Sequence, residues 1–316
     1  MRACQPEAGQ QGQKWSQSLH SPYFQILEDA RVSFKRGTLY VAATPLGNLA
    51  DITLRTLALF DAADIILAED TRVTGQLLAR YGLRRHIVSV REHNERSMAD
   101  KVIGWLQDGK LVAQVSDAGT PAVSDPGARL CRAVWEAGLP VSPLPGASAV
   151  TAALSASGVM AEGWRFAGFL SPKSKARREA LAGWLHCPDA VVIYEAPHRI
   201  QDTVADIVTE LGEERPLVLA RELTKTFETI LRLPAAGLLE RINSDPNQSR
   251  GEMAIIIEPA PATADSDETA VVEGQHILKV LLAEGLPVKQ AASITTQLAG
   301  GHKKAWYEQA LTLRNS

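Results

Sequence analysis

The chain has 316 residues, of which 33 are Lys or Arg and 36 are Asp or Glu, so its formal net charge is −3. This balance excludes a histone-like protein that binds nucleic acid over its whole surface, although it permits a local basic patch. The hydrophobic fraction of 45% is sufficient for a sizeable core, and the length suggests two domains.

Cysteine usage and hydropathy indicate the cellular environment. Cys4, Cys131 and Cys187 lie far apart and show no Cys-x-x-Cys spacing, which favours a reducing compartment and no structural zinc. No apolar run approaches the ~18 residues of a membrane span, and the first residues lack the hydrophobic stretch of a signal peptide. We therefore expect a cytoplasmic protein with no metal site and no membrane attachment.

Along the chain, a polar segment precedes an alternating pattern. Residues 1–36 are rich in Gln, Ser and charge, which predicts a flexible tail that contains a short helix near 23–27. From Gly37, strand-like runs alternate with helical patterns, which predicts α/β architecture with buried sheets. Strands are predicted at 39–43, 65–68, 87–90, 111–115, 141–144, 191–194, 217–220 and 253–257. Helices are predicted at 49–60, 98–106, 128–137, 147–157 and 200–211.

Breaks in this pattern predict the domain boundaries. A break near 158–163 separates an N-terminal α/β domain at 37–158 from a C-terminal α/β domain at 159–260. A segment with the composition of a linker follows Pro259. Residues 270–316 then show the pattern of three short helices, with breaks at 285–287 and 300–301, which is typical of a small helix-turn-helix-like bundle.

Three segments of the first domain share a plan of strand, tight turn and helix: LYVAATPLGNLADIT, VSDAGTPAVSDPG and LPVSPLPGASAVTAAL. Loops at the carboxyl ends of strands in an open sheet are where ligands bind. The segments contain neither G-x-G-x-x-G nor G-x-x-x-x-G-K-[ST], and Asp117 and Asp125 would repel a phosphate. The two aspartates either fix turns and cap helices or attract a cation, such as the ammonium and sulfonium groups of S-adenosylmethionine.

Charged residues also follow the predicted strands of the second domain. VVIYEAPHRI and LVLARELTKTFET place Glu195, His198, Glu222 and Lys225 at strand ends. Such groups either hold a substrate and accept its proton or form ion pairs and structural hydrogen bonds. Four basic residues in SPKSKARREAL form either a phosphate clamp or a solvated helix start; they are Lys173, Lys175, Arg177 and Arg178.

Seven segments taken together resemble one superfamily: TPLGNLADIT, AEDTR, SDAGTPAVSDPG, PLPGASA, GFLSPKSKARR, YEAPHR and RELTKTFET. They resemble the tetrapyrrole methylases and, more narrowly, the ribosomal RNA small subunit methyltransferase I family, over about residues 37–316. The resemblance implies two α/β domains with S-adenosylmethionine in a cleft between them, a small C-terminal helical bundle and a homodimer. It also implies methylation of a cytidine 2′-hydroxyl in the decoding region of 16S rRNA, within the assembled 30S subunit.

The resemblance assigns roles to the candidate residues. The expected cofactor residues are Pro45, Asp117, Ala118, Gly119, Val123, Gly146, Ala147, Ser148, Phe169 and Met253. The expected catalytic residues are Glu195 or His198 as proton acceptor, Lys225 as a cation, and Glu222. The expected RNA contacts are Lys173, Lys175, Arg177, Arg178, Lys303 and Lys304. Two alternatives stay open: a methylase of a tetrapyrrole or of a protein side chain, and a non-catalytic RNA-binding protein that kept the fold.

Overall fold

The computed structural model describes residues 22–91, 95–259, 264–299 and 302–315. The chain forms two compact units, of which the first contains the described residues up to 258 apart from 185–188. The second unit consists of 185–188 and the described residues from 259 onwards. The two α/β domains predicted from the sequence correspond to two five-stranded sheets within the first unit.

The first sheet is parallel, with the strand order β3-β2-β4-β1-β5. Its strands are β1 (Leu39–Ala42), β2 (Ile65–Ala68), β3 (Ile87–Ser89), β4 (Val112–Gln114) and β5 (Val141–Leu144). Its helices are α1 (Pro22–Val32), α2 (Leu54–Ala62), α3 (Thr71–Arg80), α4 (Glu95–Gln107) and α5 (Ala128–Glu136). All five predicted strands are confirmed. The predicted helix at 49–60 is divided into a 3-10 turn and α2, because Thr53 caps α2 through the backbone N–H of Thr56.

Helices cover both faces of this sheet, as the all-parallel arrangement requires. Successive side chains of a strand point to opposite faces. Ile66 accordingly packs in a cluster with Phe60 of α2, whereas Leu67 packs in a second cluster with Val102 and Leu106 of α4. The apolar strand-like runs of the sequence therefore reflect burial on two sides.

The second sheet is mixed, with the strand order β6-β7-β10-β8-β9, and only β6 and β7 are parallel neighbours. Its strands are β6 (Trp164–Phe169), β7 (Ala190–Glu195), β8 (Pro216–Arg221), β9 (Thr229–Pro234) and β10 (Met253–Ile257). Its helices are α6 (Ala149–Ser157), α7 (Ser174–Ala182), α8 (Ile200–Leu211) and α9 (Ala235–Ser244). The sequence did not predict β6 and β9, because these edge strands are partly exposed and lack a continuous apolar run.

The segment at 22–36 differs from the flexible tail that the sequence predicted. It contains α1, from which Leu27 and Ala30 pack against the core of the first sheet. Phe34 is buried, and its ring meets that of Tyr40 edge-on at 5.1 Å. The short helix predicted near 23–27 is confirmed as part of α1. The prediction of a flexible tail is wrong for these residues, because their few apolar side chains find partners on the sheet. Residues 1–21 lie outside the described residues.

The second unit is helical and contains α10 (Ala264–Ala283), α11 (Val288–Ala299) and α12 (Lys303–Asn315). The predicted break near 285–287 is confirmed, α10 is longer than predicted, and the break at 300–301 lies outside the described residues. The core of this unit includes Leu278, Ala291 and Trp306. Among the described residues, no helix combines the length and hydropathy needed to cross a membrane.

A buried carboxylate holds the turn that precedes α5. Gly127 is the N-cap residue of α5, and a Cβ there would lie 1.7 Å from Nε2 of Gln114, so this position cannot carry a capping side chain. Oε1 of the buried Glu95 instead accepts hydrogen bonds from the backbone N–H groups of Gly127 (3.0 Å) and Leu130 (2.9 Å). Because the first N–H groups of a helix have no partner within the helix, Glu95 completes α5 from a neighbouring helix.

We expect Glu95→Ala to lower the free energy of unfolding by about 1–3 kcal/mol, because two buried N–H groups lose their acceptor. Urea denaturation followed by circular dichroism measures the change. Glu136→Ala is the control, since it removes an exposed carboxylate that pairs with Arg132 within α5 and should cost less than about 0.5 kcal/mol. Equal effects of the two substitutions would contradict the capping role of Glu95.

Candidate active site

A cavity of about 410 Å³ is lined by residues of both sheets. One wall comes from the loops that follow β1, β4 and β5, at the carboxyl ends of the parallel strands, where α/β proteins bind ligands. The other wall comes from the ends of β6, β7 and β8 and the start of β10. The volume of the cavity is in the range of sites that bind small molecules.

Seven of the ten predicted cofactor residues line this cavity; they are Asp117, Ala118, Gly119, Val123, Ser148, Phe169 and Met253. The other three, Pro45, Gly146 and Ala147, are not among the lining residues. A Cβ at Gly146 would lie 2.7 Å from Cβ of Ala43, so the glycine permits close packing behind the wall. The carbonyl of Ala147 accepts a hydrogen bond from Oγ1 of Thr120 at 2.8 Å, which is also a supporting contact.

Backbone hydrogen bonds join the loops that follow β1 and β4. The N–H and C=O groups of Thr44 and Gly119 pair with each other at 2.9 and 3.0 Å. Gly119 has φ +76°, and a Cβ there would lie 3.2 Å from Cδ2 of Leu46. A larger residue at this position would be strained and crowded. The glycine of the SDAGTP turn is therefore required by the backbone, independently of any ligand.

Asp117 combines two roles that the sequence left as alternatives. It lines the cavity, and its Oδ1 accepts a hydrogen bond from the backbone N–H of Asp70 at 3.1 Å. Asp70 in turn caps α3, and its hydrogen bonds with Arg72 hold its pKa well below the usual range. Asp117 therefore fixes the loop after β2 and also contributes negative charge to the cavity wall.

The cavity is acidic and apolar. Burial raises the pKa of Asp125 to about 6, with a further contribution from Glu69. Burial also raises the pKa of Glu69, with Asp117 as the next cause, and raises the pKa of Tyr194 to about 12. The lining residues identified in the described part of the chain include no Lys or Arg. This wall suits a ligand that carries positive charge and disfavours a bound phosphate.

Glu195 is held by the protein itself. Its side chain has no exposed surface and lies 3.2 Å from Nε of Arg199. Its carboxylate also accepts hydrogen bonds from the N–H of Ala196 and the hydroxyl of Thr203. Because both oxygens are engaged, these contacts favour a structural role for Glu195 over the proton-acceptor role expected from the sequence. The neighbouring His198 is exposed and is not among the lining residues.

Lys225 lies in an ion-pair cluster beside the cavity. Its Nζ is 2.8 Å from Oε1 of Glu222 and 3.2 Å from Oε2 of Glu252, a cavity-lining residue. Burial by itself would lower the pKa of Lys225, but the hydrogen bonds to both carboxylates outweigh burial and raise it. A hydrogen bond from Lys225 holds the pKa of Glu222 below its ordinary value. Lys225 therefore stays protonated near the cavity.

The loop that carries Lys225 also contacts the first sheet. The hydroxyl of Thr224 accepts a hydrogen bond from the N–H of Asn48 at 3.1 Å. A Cβ at Gly47 would lie 2.3 Å from Cγ of Lys225, so the aliphatic stem of the lysine packs directly on the loop after β1. These contacts join the two walls of the cavity at one end.

The four basic residues near α7 divide into two pairs. Arg177 is buried and pairs with Asp206 of α8 at 2.7 Å, and Arg178 pairs with Glu210 at 2.5 Å. Lys173 and Lys175 are exposed. The two arginines therefore attach α7 to α8, whereas the two lysines are accessible to a substrate.

Sequence reasoning missed several residues of the cavity wall, including Leu46, Tyr194, Leu223 and Glu252. The first three belong to segments that the sequence did single out, TPLGNLADIT, VVIYEAPHRI and LVLARELTKTFET. The position of Glu252 directly before the predicted residue Met253, at the start of a strand, was the available signal for it. Nothing in the sequence indicated which face of each strand end turns toward the cavity.

Comparison with known proteins places this fold and cavity in a recognised class. The family model for Tetrapyrrole (Corrin/Porphyrin) Methylases matches residues 38–239. A solved structure of a cobalamin biosynthetic enzyme, cobalt precorrin-4 methyltransferase, is similar in fold, with a TM-score of 0.53 at 18% identity over 72% of this chain and 98% of that chain. Diphthine synthase has a TM-score of 0.51 at 12% identity, over 70% of this chain and 89% of that chain. The chain belongs to the tetrapyrrole methylase family.

Similar curated proteins identify which group of tetrapyrrole methylases the chain belongs to. A Neisseria meningitidis serogroup B protein named Ribosomal RNA small subunit methyltransferase I is 54% identical over 289 residues, 92% of this chain and 98% of its own length. The Escherichia coli O157:H7 protein of that name is 45% identical over 276 residues, 87% of this chain and 95% of its own length. The family model RsmI C-terminal HTH domain matches residues 268–314. Within the tetrapyrrole methylases, the chain therefore belongs to the ribosomal RNA small subunit methyltransferase I family.

We expect Asp125→Asn to become progressively more stabilising relative to wild type as pH rises to about 6, and the difference to level off above that pH. The folded-state pKa of Asp125 is raised to about 6 from the ordinary value of 3.8, so the wild type loses stability as pH rises between these two values. The gain should reach about 1–2 kcal/mol after allowance for solvent screening of this half-buried group. Urea denaturation of both proteins between about pH 4 and about pH 8 measures the difference, and a difference that does not vary with pH would contradict it.

Proposed function

We propose that this protein transfers a methyl group from S-adenosylmethionine to the ribose 2′-hydroxyl of a cytidine in the decoding region of 16S rRNA. The observation that carries the proposal is the acidic and apolar cavity between the two sheets. We further propose that the substrate is the assembled 30S subunit and that the protein acts in the cytoplasm as a homodimer. These finer assignments rest on the resemblance of the sequence motifs.

The residues of the cavity fit S-adenosylmethionine. This molecule combines an ammonium and a sulfonium charge with an apolar purine, and the wall combines Asp117 and Asp125 with Phe169 and Met253. Carboxylates attract the positive groups, and a Met or Phe side chain makes soft apolar contacts with a flat ring. Ser148 is the N-cap residue of α6, but its side chain makes no capping hydrogen bond, so it can serve a ligand.

The chain's own groups would contribute mainly alignment. When bound, the cofactor supplies an electrophilic methyl group on a sulfonium, whose sulfur would leave as a neutral thioether, so the positions of the reacting atoms carry much of the rate. We propose that Lys225, held protonated by Glu222 and Glu252, lies beside the reacting hydroxyl and favours loss of its proton. Of the two acceptors expected from the sequence, Glu195 is engaged in structural contacts, and His198 remains the proposed one.

Accessible basic residues support RNA as the substrate. Lys173 and Lys175 are exposed next to the strand end that carries Phe169, and we propose that they contact RNA phosphates. Lys303 and Lys304 are exposed in the first turn of α12, where the helix dipole disfavours positive charge. We propose that these two lysines also contact RNA. A tetrapyrrole or a protein side chain as substrate would not require these four lysines.

One experiment tests the activity directly. Purified protein and methyl-labelled S-adenosylmethionine are incubated with 30S subunits that lack the modification, and the label is mapped by nuclease digestion and mass spectrometry. The proposal predicts label on one cytidine ribose in the 30S particle and much less on free 16S rRNA. Cofactor binding without transfer to 30S subunits or to free rRNA would instead support the non-catalytic alternative.

Gly119→Val should weaken S-adenosylmethionine binding at least about tenfold, which corresponds to about 1.4 kcal/mol. Gly119 lines the cavity, and a side chain there would both strain the turn and crowd Leu46. Asp117→Ala should also weaken binding, because a carboxylate is lost from the wall. Isothermal titration calorimetry measures both affinities. Gly138→Val is the matched control, since Gly138 has a similar φ of +72° with nothing within 4 Å of an added Cβ. Wild-type affinity in the Gly119 and Asp117 variants would refute this placement of the cofactor.

The double substitution Lys173→Ala/Lys175→Ala should reduce the dependence of 30S binding on salt. Each lost phosphate contact lowers the slope of log affinity against log salt by about 0.7–0.9. Affinity for S-adenosylmethionine should stay unchanged. The matched control is Lys101→Ala/Lys110→Ala, which removes the same charge from exposed positions of the first sheet's helix α4 and the loop after it. Equal slopes for the two double variants would exclude a specific contact at Lys173 and Lys175.

A further inference from the structure

Arg199 holds the loop that joins β6 to α7. Its Nη2 donates hydrogen bonds to the backbone carbonyls of Leu170 at 2.7 Å and of Ser171 at 3.3 Å. These carbonyls directly follow β6, whereas Arg199 lies between β7 and α8. One guanidinium therefore connects the ends of two parallel neighbouring strands at the edge of the cavity.

A buried carboxylate keeps Arg199 in place. Oε1 and Oε2 of Glu195 lie 3.2 and 3.3 Å from Nε and Nη2 of Arg199, and the Glu195 side chain has no exposed surface. The hydroxyl of Thr203 and the N–H of Ala196 complete the contacts of the carboxylate. A planar guanidinium between a fixed carboxylate and two carbonyls has little freedom to change its orientation. The contacts of the arginine therefore fix the path of the 170–173 loop.

This loop connects the cavity wall to the exposed lysines. It begins after Phe169, which lines the cavity with 55% of its surface exposed and contacts the ring of Tyr194 at 5.7 Å. It ends at Lys173, the N-cap residue of α7, with Lys175 two residues further on. The ion pairs of Arg177 and Arg178 attach α7 to α8. The contacts of Arg199 attach the loop itself.

We infer that Arg199 is a positioning residue for the substrate: it holds the 170–173 loop so that Phe169 and Lys173 keep a fixed spacing at the mouth of the cavity. The inference rests on the proposed function for the identity of the substrate. The positioning of the loop by Arg199 does not depend on that function. Arg199, the last residue of the YEAPHR segment, then acts on the substrate indirectly, because its hydrogen bonds to backbone carbonyls position the loop.

The first experiment measures the loop without any substrate. Hydrogen exchange with mass spectrometry compares residues 170–175 in wild type, Arg199→Met and Arg199→Lys. Exchange should be at least about tenfold faster in Arg199→Met, because the loop loses its anchor, and less affected in Arg199→Lys, which keeps a cation and a donor. Unchanged exchange in Arg199→Met, in a protein with a cooperative thermal transition, would overturn the inference.

Arg85→Met is the matched control for this measurement. Arg85 makes the same kind of contacts in the first sheet's domain, donating to the carbonyls of Phe60 and Asp61 and to the carboxylate of Asp61. The substitution Arg85→Met removes an equivalent, partly buried guanidinium that does not contact the 170–173 loop. Faster exchange at 170–175 in Arg85→Met would show a general loss of stability and would count against a specific anchor at Arg199.

The second experiment measures methylation of 30S subunits. Arg199→Met should raise KM for 30S subunits about tenfold, with a smaller effect on kcat, and Arg199→Lys should restore part of the loss. The effect should be much smaller in the Lys173→Ala/Lys175→Ala background, because Arg199 acts through the loop that carries these lysines. If the effects of Arg199→Met and of the double lysine substitution on KM were fully additive, Arg199 would not act through this loop. Wild-type protein that methylates no rRNA would refute the proposed function, whereas the exchange result would still decide the role of Arg199.

Discussion

The paired backbone hydrogen bonds between Thr44 and Gly119 are the interaction on which the rest of the site depends. They join the loops after β1 and β4, and the bond from Thr120 to the carbonyl of Ala147 adds the loop after β5. The first of these loops then contacts the second sheet through Asn48 and Thr224. Because the loops form hydrogen bonds with one another, the cavity wall does not depend on a ligand for its shape.

Opposite charges occupy different parts of the first unit. Asp117 and Asp125 line the cavity, whereas Lys173 and Lys175 are exposed and are not among its lining residues. The proposed cofactor is cationic and the proposed RNA substrate is anionic, so these two sets of side chains would serve different ligands. The formal net charge of −3 does not reveal this arrangement.

Buried carboxylates organise both halves of the first unit. Glu95 completes the N-terminus of α5 two residues after Asp125, and Glu195 orients Arg199, whose other contacts fix the loop after Phe169. Glu95 thus supports the turn beside Asp125 through the start of α5. Glu195 supports the loop after Phe169 through Arg199. These contacts hold the backbone beside Asp125 and Phe169 in place.

The sequence by itself determined the parallel strands of the first sheet and the three turns that follow β1, β4 and β5, and seven of the ten residues that it assigned to a cofactor line the cavity. It could do so because burial on both faces produces continuous apolar runs, and because glycine and proline mark turns that need a particular backbone. Tertiary structure alone decided the edge strands β6 and β9 and the packing of α1, since their partly exposed residues show no clear period. It also decided which partners Glu195, Arg177 and Arg178 contact. A charged side chain is functional or structural according to the partner it meets, and those partners, Arg199, Asp206 and Glu210, are brought into contact only by the fold.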